Sequence, residues 1–222
     1  MESHELYRAA RSQLIAICRG LTTTEASTPV AACPGWTVAD VLAHVTGIAS
    51  DVLDGNVDGI GTEDWTDRQV VSRRGRTLGD VLDEYAELGG ALDAAGIANP
   101  ARAMRMARDA TVHEHDVRAA LDRPGDRSAE TVSVVCQSYA EGFIDRVLAA
   151  GLADVAVKTE RWRVGAPDAP VSVSGDAFEL LRCLTGRRSR RHAEALAWSG
   201  DHRAHVALIP TYGDFQIMDV IE

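Results

Sequence analysis

Asp109, His113 and Asp116 follow one another at intervals of four and three in RDATVHEHDVRAAL, residues 108–121. At about 100° per residue on a helix, that spacing keeps all three on one side. Met106, Ala110, Val117 and Ala120 share a face with His113 near its middle, whereas His115 and Arg108 point the other way. The pattern predicts an inward His113 and an outward His115. An inward imidazole with a carboxylate one turn before and another three residues after supports two kinds of chemistry. It can be a core histidine whose ring bonds Asp109 or Asp116 and holds the helices in register. Alternatively, Asp109 and His113 aim two donors at one point and bind a metal, with Asp116 orienting the His113 ring from behind. A third donor then has to come from another helix. His44, in TVADVLAHVTG, lies on the border of its helix's apolar stripe, where a side chain reaches a neighbouring helix but also serves as plain filler.

The elements that must position these residues are legible from caps and periodicity. Residues 4–19 read as a first helix. PGWT supplies a turn, Thr37 a cap and Asp40 its reciprocal partner, ahead of a stripe at Val38, Val41, Leu42, Val45, Ile48, Ala49 and Val52. The Gly- and Asp-rich residues 55–76 read as a long loop with a short helical turn. Thr77 caps another helix, Pro100 opens the one that runs to Leu121, and residues 129–149 form a helix leading out of the bundle. VAVKTERWRV and PVSVSG then alternate as strands, Asp176 with Glu179 caps a short helix, and AEALAWSGD and HVALIP are further strand candidates. The expected architecture is α+β: a helical bundle over residues 1–152 and a small α/β domain over 153–222.

With 23 basic against 33 acidic residues in 222, the formal charge of -10 argues against a nucleic-acid or anionic-membrane binder. No run of 18 apolar residues could span a bilayer. The first residues lack a signal-peptide layout, and four scattered cysteines with no CxxC pair predict reduced thiols in the cytoplasm. Cys18, Cys136 and Cys183 read as core and Cys33 as a small apolar filler. Trp36 and Trp65 read as packing. Arg73, Arg74 and Arg76 could meet substrate carboxylates across the mouth of a site. The basic knot GRRSRR could bind an acidic substrate or cap the preceding helix, the second being the better physical fit. The acidic surface argues neither for nor against a dimer.

CPGWTVADVLAHVTG at 33–47 and RDATVHEHDVRAAL at 108–121 together resemble the two metal motifs of the mycothiol-dependent maleylpyruvate isomerase family. VSVSGDAFELLRCLTGRRS is similar to the small C-terminal domain of many members. The resemblance implies a DinB-like four-helix bundle followed by a sterol-carrier-like α/β domain. It also implies a divalent metal, commonly zinc, on His44, Asp109 and His113, with Asp109 standing where the family usually has Glu. Mycothiol as cosubstrate and its sulfur as the nucleophile towards a small electrophile are implied in the same way. The same ligands would also suit a zinc-hydroxide hydrolase, and a non-catalytic binding protein would use the bundle as scaffold and hold an apolar ligand in the C-terminal module.

Overall fold

A computed structural model describes residues 1–97 and 99–220; Ala98 and the last two residues of the expected second domain, Ile221 and Glu222, lie outside the description. The chain divides into two compact units at Gly125/Asp126.

The first unit is helical. α1 (Ser3–Cys18) buries Leu6, Tyr7, Ala10, Arg11, Leu14 and Cys18, a helical stripe that packs against α6. A four-residue α2 (Thr23–Ala26), capped by Thr22, was not legible as a separate helix. α3 (Val38–Asp54) begins where Thr37 accepts from the Asp40 amide while Asp40 reaches back to the Thr37 amide, as the sequence predicts. It ends at Gly55, whose φ of 74° is the left-handed conformation that closes a helix cheaply only for glycine. α4 (Glu63–Val71) occupies nine residues of the segment read as loop and packs on α3. α5 (Leu78–Ala95) is capped by Thr77, and α6 (Pro100–Ala120) starts on its proline. α3 packs against α5 and α6, and α1 against α5 and α6, so the four long helices of this unit share one core. Glycine in mid-helix has a specific use at Gly89: Arg11 lies across it, donating to the Gly89 carbonyl at 3.1 Å and to Asp93 at 2.7 Å, and an added Cβ would stand 2.4 Å from Arg11 Nε.

The second unit begins with α7 (Glu130–Ala149), which packs on α8 (Ala177–Leu184). The sequence boundary at 152 therefore falls after a helix that the contacts group with the strands. β1 (Val155–Lys158), β2 (Arg163–Val164), β3 (Val171–Ser174) and β4 (Ala197–Ser199) form a sheet of order β2-β1-β3-β4, parallel only between β1 and β3. Asp176 caps α8 as predicted, accepting from Phe178 and Glu179. α9 (Arg190–Glu194) precedes β4, and AEALAWSGD supplies that strand. HVALIP does not form a strand. His205 and Val206 close α10 (Arg203–Val206), and the buried pair Val206 and Ile209 is spaced by three, a turn-like interval too short for periodicity to separate from a strand. The fold is thus α+β, a helical bundle followed by a small α/β domain. No helix of the described residues is long and apolar enough to cross a membrane.

The turn after α4 is pinned to α5 through Glu84, which accepts from Arg73 Nε at 3.2 Å and from Arg76. Burial alone would raise the Glu84 carboxyl, but the hydrogen bonds and charges of the two arginines outweigh it and hold it below the ordinary glutamate value. Such a group stabilises the fold above its unfolded pKa and loses that contribution as pH falls through the folded one. Glu84→Gln is expected to lower unfolding free energy by about 1 kcal/mol at pH 7. In urea titrations the gap from wild type should close as pH drops below about 4, near the reference glutamate value; a gap that persists there would remove the ion pairs as its cause.

Candidate metal centre

Two helices and the turn before one of them build the site. α3 presents His44 and α6 presents Asp109 and His113. The two imidazoles converge on a single carboxylate oxygen: His44 Nε2 lies 3.5 Å and His113 Nε2 3.6 Å from Asp109 Oδ1. Their ring centroids are 5.2 Å apart at 83°, edge towards face. One donor atom from each of the three residues falls within 4.8 Å of the others. Both imidazoles are buried, while Asp109 keeps 27% of its side chain exposed and forms the open side of the cluster.

The far nitrogen of each ring is engaged from behind. His44 Nδ1 is 2.8 Å from Gln69 Oε1 on α4, and Gln69 Nε2 donates to Asp51 Oδ2 at 2.7 Å. Gln69 approaches this closely because residue 47 is glycine: a Cβ there would lie 2.4 Å from Gln69 Cβ. His113 Nδ1 is 3.1 Å from Asp116 Oδ2, the orienting role predicted for Asp116. Cys33 Sγ stands 3.7 Å from that Asp116 oxygen and 3.8 Å from His113 Nδ1, so Cys33, His113 and Asp116 form a second convergent donor group on the opposite edge of the same ring. Trp36 covers both imidazoles, its ring 5.1 Å from His44 and 6.3 Å from His113.

Several expectations change here. His115 is not outward: residues 110–117 are all buried, and His115 is only 3% exposed. A single apolar face does not describe a helix that is enclosed on every side at this level. Cys33 is a neighbour of His113 rather than a filler, and Trp36 packs, as expected, but with its ring tilted against the two imidazoles of the centre. Trp65 is buried, its Nε1 on the Asn56 carbonyl, in keeping with a packing role. Arg73 and Arg76 are held by Glu84, and Arg73 also donates to the Gln69 carbonyl at 3.2 Å. In the basic knot, Arg187 donates to the Thr185 carbonyl at the end of α8 and Arg188 pairs with Glu179, so the helix-end role prevails over ligand binding.

Electrostatics favour charge at the centre and neutrality beneath it. Burial alone would lower the His113 imidazolium, but the Asp109 charge and the bonds to Asp116 and Cys33 outweigh it and hold the pKa well above the histidine range. Tyr7 and Tyr85, buried and within electrostatic reach of Asp109, are held as neutral phenols by burial, Tyr7 at about 12. Sequence reasoning missed both tyrosines and Gln69. The CPGW turn was the one available sign of Cys33 and Trp36, because it ends a residue before the α3 cap.

The family model described as "Mycothiol maleylpyruvate isomerase N-terminal domain" matches residues 7–118, half of the chain and every residue of the candidate centre from Cys33 to Asp116. The chain belongs to that family. Among solved structures, this maleylpyruvate isomerase family member is similar to a crystal structure of the mycothiol-dependent maleylpyruvate isomerase, at 17% identity and a TM-score of 0.59, over 83% of this chain and 88% of that one. It is also similar to a histidine-to-alanine variant of such an isomerase, at 16% identity and a TM-score of 0.60, over 89% and 91%. At these identities the likeness is one of fold. A comparison with curated proteins finds no match.

Gly47→Ala tests the local geometry. Helix propensity alone would favour alanine by about 1 kcal/mol, but the overlap with Gln69 opposes it. The expected net result is a loss of about 1–2 kcal/mol in chemical denaturation from overpacking, with loss of the His44–Gln69 hydrogen bond in NMR. A stabilised variant would show that α4 retreats without cost.

Proposed function

We propose that His44, Asp109 and His113 hold one divalent cation, with zinc the best match to the donors. We propose further that the chain is a mycothiol-type, thiol-dependent isomerase or S-transferase acting on a small electrophile. The observation that carries this reading is the approach of two Nε2 atoms to one Asp109 oxygen, at 3.5 and 3.6 Å. Donors bound at ~2.0–2.1 Å to a tetrahedral ion lie roughly 3.3–3.4 Å apart, so the residues fit the group. Two neutral imidazoles and a carboxylate are a zinc donor set that leaves a position open. When bound, the cation would lower the pKa of a thiol or water held at that open position.

The protein's own residues do the remaining work. Gln69 and Asp116 fix the two rings, and Trp36 covers them and excludes water. Asp109 leaves one side accessible to a small molecule, and its side chain is one methylene shorter than glutamate, which draws the donor oxygen closer to α6. An external thiol is the natural nucleophile, because Cys18 and Cys183 are buried and pushed up to about 12, burial raises Cys136 as well, and Cys33 lies behind the His113 ring, at its Nδ1 edge and not at the Asp109 side. Family membership, in a family described by mycothiol and maleylpyruvate isomerisation, supports the thiol as mycothiol. None of the four cysteines is in a disulfide, which suits a reducing cytoplasm.

The test is the metal content of untagged protein. Wild type is expected to carry about one equivalent of zinc, and a His44→Ala, His113→Ala double variant almost none. Mycothiol should raise the melting temperature of the loaded protein and not of the stripped one. Equally negligible metal in both proteins would remove the metal and the thiol chemistry together. Turnover of esters or amides with water alone would favour hydrolysis on the same ligands.

A further inference from the structure

Gln69 sits on α4, in a segment whose composition reads as loop, yet it is 3% exposed and both ends of its amide are engaged. Its partners are unequal. An ionised carboxylate only accepts hydrogen bonds, so the amide NH2 must face Asp51 and the carbonyl must face His44. The reverse orientation would set the Gln69 carbonyl against the Asp51 carboxylate, two acceptors with no proton between them. Asp51 is itself held, since its other oxygen accepts from Asn56 Nδ2 at 2.9 Å. With only the carbonyl oxygen offered to it, His44 Nδ1 must carry the proton. The ring can then offer a lone pair only from Nε2, the nitrogen that faces Asp109 at 3.5 Å and that a cation held there would take. Gly47 permits the approach, because any side chain there would push Gln69 away.

We propose that Asp51 and Gln69 form a polar relay that selects the tautomer of His44, making Gln69 a positioning residue that presents Nε2 to the centre as a ready donor. His113 has the equivalent control from Asp116 on its own helix. The His44 relay instead crosses from α3 to α4 and back, so the ring is set by a helix that contributes no donor of its own. The proposal rests on the metal reading above for its consequence, but not for the Nδ1 proton, which the Gln69 carbonyl holds in the metal-free protein.

The experiment uses the full chain in four forms: wild type, Gln69→Leu, Asp51→Asn, and the isosteric swap Asp51→Asn with Gln69→Glu. Heteronuclear NMR of the imidazole nitrogens in metal-free protein reports the His44 tautomer, and competition with a chromophoric chelator reports zinc affinity. Wild type is expected to hold the proton on Nδ1. Gln69→Leu should give mixed tautomers and weaken zinc about 10–100-fold. Asp51→Asn frees the amide to turn and should fall between the two. The swap exchanges the carboxylate and the amide without changing length. It keeps an oxygen facing His44 Nδ1 and should return both the tautomer and the affinity to within about threefold of wild type. A purely structural role for Gln69 would leave the tautomer unmoved and would not be rescued by the swap. A wild-type His44 protonated on Nε2, or a Gln69→Leu variant with unchanged tautomer and affinity, overturns the relay. Wild-type protein with the Nδ1 proton but no zinc uptake upholds the relay and overturns the metal reading alone.

Discussion

Two imidazoles are held with Nδ1 against a fixed oxygen and Nε2 towards one shared carboxylate, and the structure around this centre is organised by that pose. Each histidine has an oxygen behind its Nδ1, from Gln69 for His44 and from Asp116 for His113. Each then turns Nε2 towards the same Asp109 oxygen. Satisfying this requirement twice constrains much of the first unit. α3 and α6 must cross at the level of residues 44 and 113. α4 must lie flat enough on α3 to bring an amide to His44, and α3 must lack a side chain at 47. α6 must be enclosed on all sides over residues 110–117 so that the Asp116 bond is not lost to water.

The rest of the charge in the molecule serves a different purpose. Arg11 is buried across Gly89 and tied to Asp93, Arg73 and Arg76 are held by Glu84, and Arg188 is held by Glu179. Arg73, Arg76 and Arg188 resemble ligand sites in the sequence, but each, like Arg11, is matched by an acid of its own unit and acts as an internal strut. These arginines are therefore committed to internal ion pairs, in contrast to the cluster where His44, His113, Asp109 and Asp116 converge beneath Trp36.

How much of this was legible depends on the range of the interaction. Caps are local, so Thr37, Thr77, Pro100 and Asp176 announced their helices to within a residue or two. Helical spacing is nearly as local, and it placed Asp109, His113 and Asp116 on one side and His44 at a reachable border. Range also explains the errors. The outward reading of His115 assumed one buried face, whereas the number of neighbours around a helix is a property of the whole bundle. Cys33 meets His113 across 80 residues of sequence, and no local pattern records such a meeting. Gln69 was hidden because a short amphipathic helix among Gly and Asp residues carries little periodicity, and its function depends on the absence of a side chain at 47. HVALIP failed for the opposite reason: five or six apolar-rich residues fit a strand and a turn equally well.

Thr37 and Asp40 lock the first turn of α3, and Trp36 and Cys33 hang from the residues just ahead of that lock, while His44 sits nearly two turns further in. The turn that carries them is closed by its own backbone: Cys33 N–H donates to the Val30 carbonyl at 2.9 Å, Val30 N–H to the Trp36 carbonyl at 2.9 Å and Trp36 N–H to the Cys33 carbonyl at 3.0 Å. Tryptophan ring and thiol are thus set by one tight loop of backbone, and any change to that loop would move both against the imidazoles at once.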